Sequence, residues 1–439
     1  MSLLDAFTAH LRALGLAPGR ALVAVSGGPD SMALLDLLAR SSEAHRLELV
    51  VGHVDHGIDA RSAEAASLVR RAAGTRGLPF EQVQLALGPR ATETAAREAR
   101  LKGLELLRRR AGAAVVLLAH HADDQAETVL MRALRGSGPA GLAGMPAQRG
   151  SLVRSLLPFR RDELARYVLE QGIEVWHDPA NADERHLRSW IRTDLLPHIE
   201  ARLPRVRDSL LETAGQARHA RAAWDAALDR FPGLEPRAED GGISVAAPVL
   251  AGYDSALGNA VAGALGRRAG YPIGPRRSAR LLALAAAGES GRHVPLGAGW
   301  IAEIAFGRLR IVPAEEPVAG VLVVQGAEGG VEWGRWRLTL QSGPAPSRHA
   351  RRAMTAWFAD SALTVRGPRA GERLAPLGGR GRRLLVRCFQ DARVPASRRA
   401  GWPVVEAGGV VAWVPGVCRT EAMIPPAGSE ALRVHVTYD

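Results

Sequence analysis

The chain has 439 residues, 47% hydrophobic and 23% charged, a balance that builds cores and a length that implies two or three domains. Its formal charge of +12 favours an anionic partner, nucleic acid first. Lys102 is the only lysine, which excludes a G-x-x-x-x-G-K-[ST] nucleotide loop; the two cysteines, Cys388 and Cys418, have no C-x-x-C spacing, which argues against structural zinc, a disulfide framework and a sulfur-relay dithiol.

Met1–Leu16 mixes Asp5, His10 and Arg12 into an apolar pattern and reads as an amphipathic helix rather than a secretory leader. No apolar run approaches the ~20 residues that span a bilayer, so a cytoplasmic protein without a membrane partner is expected. Strand-like runs follow at Ala21–Val25, Leu47–Val51, Phe80–Leu85 and Ala113–Ala119, and helical stretches lie between and after them at Met32–Ala39, Ser62–Arg76, Thr92–Arg110 and Asp124–Leu134. Apolar strands alternating with helices predict an α/β domain with a parallel sheet covered on both faces. Ligands of such sheets bind beyond the strand C-termini. The domain is expected to cover residues 1–201. A mainly helical middle domain, rich in Ala and Arg, is expected over 202–315, and a small Arg-rich α+β domain over 316–439.

Ser26-Gly27-Gly28-Pro29-Asp30-Ser31 follows the first strand and opens the first sheet-flanking helix. Glycines let the backbone turn tightly against an anion, and a helix N-terminus adds N–H donors and a favourable dipole. The bland alternative is an N-capped turn without ligand. Asp124 and Glu127, three apart, share a face at the start of one helix; alone, they could equally be dipole-favourable charge in a solvated first turn. Gly136-x-Gly138-x-x-Gly141 matches a dinucleotide fingerprint but follows a helix instead of a strand, so it is read as a loop.

The Ser26–Ser31 text resembles the S-G-G-x-D-S loop of the ATP pyrophosphatases. More segments match in order: His53-Val54-Asp55-His56-Gly57, Glu93–Arg100, His120-His121-Ala122-Asp123-Asp124-Gln125-Ala126-Glu127, Asp178-Pro179-Ala180-Asn181 and Arg188-Ser189-Trp190-Ile191-Arg192. In the tail come Gly371-Glu372-Arg373-Leu374, Phe389-Gln390-Asp391-Ala392-Arg393 and Trp413-Val414-Pro415-Gly416. Together they are similar to the bacterial tRNA(Ile)-lysidine synthetase family. Two departures stand out: Asp55 where many members have Asn, and Ser189 where Asn is usual.

The resemblance implies a ligase that uses ATP and Mg²⁺. It adenylates the wobble cytidine of a CAU-anticodon isoleucine tRNA and then joins L-lysine to C2. It also implies roles. Ser26, Gly27, Gly28, Pro29, Asp30 and Ser31 would cradle the phosphates, with Asp30 a metal partner, and His53 and Val54 would lie near the adenine. Asp124 and Glu127 would hold the lysine, and His120, Arg97 and Arg100 would meet the activated base or phosphate. Arg188 and Arg192 would contact the anticodon arm. The arginine-dense tail, including Arg351, Arg352, Arg366, Arg382 and Arg398, is the expected tRNA surface. Dimerisation through the tail stays open. The rivals are a tRNA thiolase, disfavoured because Cys388 and Cys418 lie far from the loop in sequence, an amidotransferase, which would need a glutaminase domain, and a catalytically silent RNA-binding protein.

Overall fold

The computed structural model describes residues 2–55, 62–85, 93–176, 187–325, 328–359 and 362–438. His56, Arg61 and the Asp178–Asn181 motif lie outside them. The chain divides into two compact units, Met1–Ala222 and Ala223–Asp439. Residues 223–315 therefore group with the tail.

The first unit begins with α1 (Leu3–Ala13), whose Ser2 and Asp5 cap each other and whose Phe7 and Leu11 are buried. Then come β1 (Gly19–Ala24), α2 (Pro29–Arg40), β2 (Leu47–Asp55), α3 (Ser62–Thr75), β3 (Phe80–Gln84), α4 (Glu93–Arg110), β4 (Val115–Leu117) and α5 (Ala122–Leu134). A short α6 (Pro139–Leu142), β5 (Gln148–Arg149), β6 (Leu152–Val153) and α7 (Arg161–Glu170) follow. The sheet order is β3-β2-β1-β4-β6-β5, with all neighbours parallel except the β5–β6 hairpin.

Side-chain alternation sorts the two faces. Ala21, Val23, Val51, Leu117 and Val153 pack with α1, α2, α3 and α7, through Phe7, Leu35, Val69 and Leu164. Leu22, Ala24, Val50, Val116 and Leu118 pack with α4 through Leu104 and Leu107. β1 is central and covered on both sides, hence its unbroken apolar run. Close packing excludes a side chain at Gly52, where a Cβ would sit 2.9 Å from Leu22 Cδ1.

The segment after Arg161–Glu170 continues through α8 (Leu187–Trp190), a π-helical turn at Ile191–Leu195, α9 (Leu196–Glu200) and α10 (Val206–Ala227). The π turn is a rare geometry that re-aims side chains by one position, and it begins at Ile191, inside the Arg188–Arg192 motif.

In the second unit, helices Ser255–Arg268 and Pro275–Ala287 pack on a five-stranded antiparallel sheet running through Gly242–Ala246 and Arg308–Pro313. Further antiparallel sheets of five and four strands enclose a core containing Trp336, Phe358, Phe389 and Trp413. Arg310, 2% exposed, ties the middle segment to the tail by bonding Glu303, Glu239 and Asp240 and the Ser397 hydroxyl. The strand at Gly242 is a break in the helical expectation for this stretch. It is hidden in the sequence by its glycines, which the fold needs because a Cβ at Gly242 would clash with Ile311 O.

Candidate active site

A cleft of about 420 Å³ opens at the C-terminal ends of β1 and β4. Its floor is the Ser26–Ser31 loop. Gly27 has φ +93° and is wedged against Trp176, whose N–H donates to the Gly27 carbonyl at 2.9 Å. A side chain there would be strained and crowded. Gly28 is the N-cap of α2 and offers no side chain to its first turn, and Pro29 fills the first helical position. The end of the helix is thus left for an external anion. Ser31 Oγ donates to Gly28 O at 2.9 Å and receives the Ser26 N–H at 3.2 Å, which closes the loop on itself.

The cleft wall comes from α5 and the segment around α8. Glu127 is 2% exposed and accepts from Arg188 Nε at 2.9 Å and Arg192 Nε at 3.0 Å. Arg188 also reaches Asp124 at 2.8 Å. Residues three and four apart on α5 and on the helical turn at 188–192 thereby form one carboxylate–guanidinium lattice. Asp124 is held below the usual carboxylate range. Burial opposes this, but the charges of His121 and Arg188 and the His121 N–H outweigh it.

Two histidines follow β4. His121 is buried, with Nε2 3.6 Å from Asp30 and 3.5 Å from Asp124. Burial disfavours its charged form, yet the bond to Asp30 and the charges of Asp124, Asp30 and Asp123 prevail and raise its pKa. His120 goes the other way. Burial pushes it down to about 3, with Asp124 opposing and Arg154, Arg100 and Arg188 assisting, so it is neutral at physiological pH. Among the described residues its Nδ1 has no hydrogen-bond partner.

The structure brings together Ser26, Gly28, Pro29, Asp30, Ser31, Arg100, His120, Asp124, Glu127, Arg188 and Arg192 around this one cleft. His53 and Val54 are not among its lining residues. His53 is buried and bonds Val25 O through Nδ1 at 2.9 Å, bracing the strand that leads into the loop; burial lowers its pKa. Val54 packs toward α4, 3.3 Å from where a Cβ at Gly103 would be. Arg97 is exposed on α4, within electrostatic reach of Arg100 and Arg154. In the tail, Arg351, Arg352 and Arg382 are exposed. Arg366 has no charge to spare for RNA, because its buried guanidinium is already paired with Glu372 and Glu406. Arg398 is half-buried over Tyr438 and Trp402 and beside Asp240.

The cleft also contains Arg161 and Thr193. The Arg161 N–H donates to Asp123 at 2.8 Å, and Asp123 also binds Arg207 at 3.0 Å, so α5, α7 and α10 are pinned at one carboxylate. A signal for Arg161 was available: cations are disfavoured in a first helical turn, yet Arg160 and Arg161 stand there. The glycine-rich stretch after α5 is not the loop expected throughout: Gly138 caps the short α6, which contains Gly141, although a helix and not a strand precedes it. Gly144 has φ +67°, and Gln125 clasps Met145 through bonds of 2.7 and 2.9 Å. No three-residue metal-ligand cluster occurs among the described residues. None of their helices is long and apolar enough to cross a membrane.

Fold and loop define a PP-loop domain that uses ATP, and the family model of that description matches residues 5–199. A second model, the TilS substrate C-terminal domain, matches residues 363–436. A tRNA(Ile)-lysidine synthase from Symbiobacterium thermophilum is 34% identical over 99% of this chain and 98% of its own length. Relatives of the same name from Geobacter sulfurreducens (33% identical, 95% of this chain and 93% of theirs) and Solibacter usitatus (34%, 90% and 92%) agree. The chain belongs to the tRNA(Ile)-lysidine synthase family, and it is a ligase with an ATP-binding PP-loop domain.

Proposed function

We propose that the protein joins L-lysine to C2 of the wobble cytidine of a CAU-anticodon isoleucine tRNA, through an adenylated cytidine. The observation that carries this is one cleft holding both an anion loop and a pair of carboxylates, buried Glu127 and half-buried Asp124, guarded by arginines.

The geometry of the cleft supports the following order of steps. ATP lies with its phosphates on Ser26–Ser31. The cytidine O2 attacks the α-phosphorus and pyrophosphate departs onto the loop, where the α2 N-terminus and Arg161 receive its charge. Asp30 is the single loop carboxylate in the cleft and would hold a Mg²⁺ accompanying the phosphates; once bound, the ion would supply charge neutralisation there. His120, half-buried in the cleft wall and kept neutral by desolvation, offers an uncharged N–H near the developing charge. In the second step the lysine ammonium takes positions on Asp124 and Glu127 that Arg188 and Arg192 share, gives up a proton to water, and its ε-nitrogen attacks C2. The C–O bond breaks and AMP leaves with the former O2. Converting the wobble base in this way changes decoding from AUG to AUA.

The wobble base must leave its stack to reach a cleft of this depth. The exposed tail arginines, Arg351, Arg352 and Arg382 among them, supply phosphate contacts for the tRNA body. The test is incorporation of labelled L-lysine into a CAU isoleucine tRNA transcript with ATP and Mg²⁺. RNA label and AMP should rise together and vanish when the wobble C is replaced. AMP without label in RNA would show a different nucleophile, and neither would leave an RNA-binding protein without chemistry.

A further inference from the structure

Arg154 is the residue the reaction above does not use. It lies immediately after β6, is only 6% exposed and makes one side-chain bond, Nη1 to Pro146 O at 2.8 Å. Its Nε is buried without a partner among the described residues. No carboxylate among those residues pairs with it, and the charges that bear on it, Arg97 and Arg149, are both positive. A buried guanidinium surrounded by like charge is costly unless an anion completes it.

Strand register locates that anion. Leu117 pairs with Val153 and the Leu118 N–H bonds Val153 O, so Arg154 continues β6 alongside the end of β4. Leu118 and Leu152 both face α4. Carried one step past the strand ends, the alternation puts His120 and Arg154 on that same side, in line with the electrostatic reach of Arg154 to His120 and of Arg97 on α4 to Arg154. The nucleotide loop instead follows β1, on the other side of β4. Two inter-strand steps separate β6 from β1, about 9–10 Å. Arg154 therefore stands on the side of the sheet away from β2 and beyond the phosphate cradle.

We propose that Arg154, flanked by Arg97 and His120, binds a phosphodiester of the RNA strand beside the reacting nucleotide and so seats the extruded base over the cleft. This rests on the reaction proposed above. Arg154 is a positioning residue: it holds the backbone that delivers the base.

The experiment uses the full chain, wild type, Arg154→Met and Arg154→Lys, with isoleucine tRNAs that each carry one neutral methylphosphonate in the anticodon loop. Wild type should lose about tenfold in affinity at one position, the worth of one charge-assisted bond. Arg154→Met should be insensitive there, and its salt slope should fall by about one phosphate. Arg154→Lys should recover part of the discrimination, and the KM for ATP should not move in either variant. A raised ATP KM with an unchanged salt slope would overturn the proposal in favour of the triphosphate. Equal sensitivity of Arg154→Met and wild type at every neutralised phosphate would overturn it in favour of a purely structural pin on Pro146. Failure of the wild type to incorporate lysine would strike the reaction itself, while the phosphate map would still decide Arg154.

Discussion

Replacing Glu127 with Gln removes one charge from the middle of the cleft wall while keeping shape. The native carboxylate, 2% exposed, takes Arg188 at 2.9 Å and Arg192 at 3.0 Å. Hydrogen bonds to charged groups are worth about 1.5–3 kcal/mol each. A lysine ammonium that loses one of them should bind about 10- to 150-fold more weakly, at 1.4 kcal/mol per tenfold. The fold should also suffer. Breaking a fully buried pair costs about 3–5 kcal/mol, but Arg188 and Arg192 retain side-chain exposures of 19% and 31%, so water offsets part and about 2 kcal/mol is expected. The assay separates the steps. Lysine incorporation is measured against lysine concentration, and pyrophosphate exchange into ATP is measured with tRNA but without lysine. Glu127→Gln should raise the KM for lysine and preserve exchange. Collapsed exchange with an unchanged lysine KM would refute the assignment of this carboxylate to the amino acid.

Arg161→Met should slow pyrophosphate exchange and raise the KM for ATP by about tenfold, one charge-assisted contact, with lysine KM unaffected; steady-state kinetics over ATP decide it. Gly144→Ala would place a Cβ 2.5 Å from Gln125 Oε1 at φ +67°, so overpacking should cost about 1–3 kcal/mol, read as a lower denaturant midpoint. His120 has a folded pKa of about 3 against an ordinary 6.5. The unfolded chain therefore binds more protons between those values, and stability is lost as pH falls through that window. His120→Gln should flatten this limb in pH-dependent unfolding, and an unchanged slope would contradict the neutral imidazole.

Much of the first unit was legible because its strands are short apolar runs between helical periodicities, and β1 and β4 are central strands with two covered faces. Placing the Ser26–Ser31 loop needed only its position after a strand. Asp124 and Glu127 sharing a face was equally plain. That Arg188 and Arg192 close on these carboxylates was not, because the link spans about sixty residues of sequence and passes through a π turn that no periodicity announces. Arg154 was invisible for a related reason. In a chain where nearly every basic residue is arginine, only burial and the missing counter-charge set Arg154 apart. The same abundance made Arg366 look like RNA-binding surface, when the fold uses it to neutralise Glu372 and Glu406.

An adenylated cytidine requires that the oxygen on C2 leave with AMP. A tRNA carrying heavy oxygen at that position of the wobble cytidine, incubated with the protein, ATP and L-lysine, reports this by mass spectrometry of both products. The heavy oxygen should appear in the phosphate of AMP, and the wobble nucleoside should gain lysine less one water. Heavy oxygen retained in the RNA, or released to water with unlabelled AMP, would contradict activation of the base by ATP in this cleft.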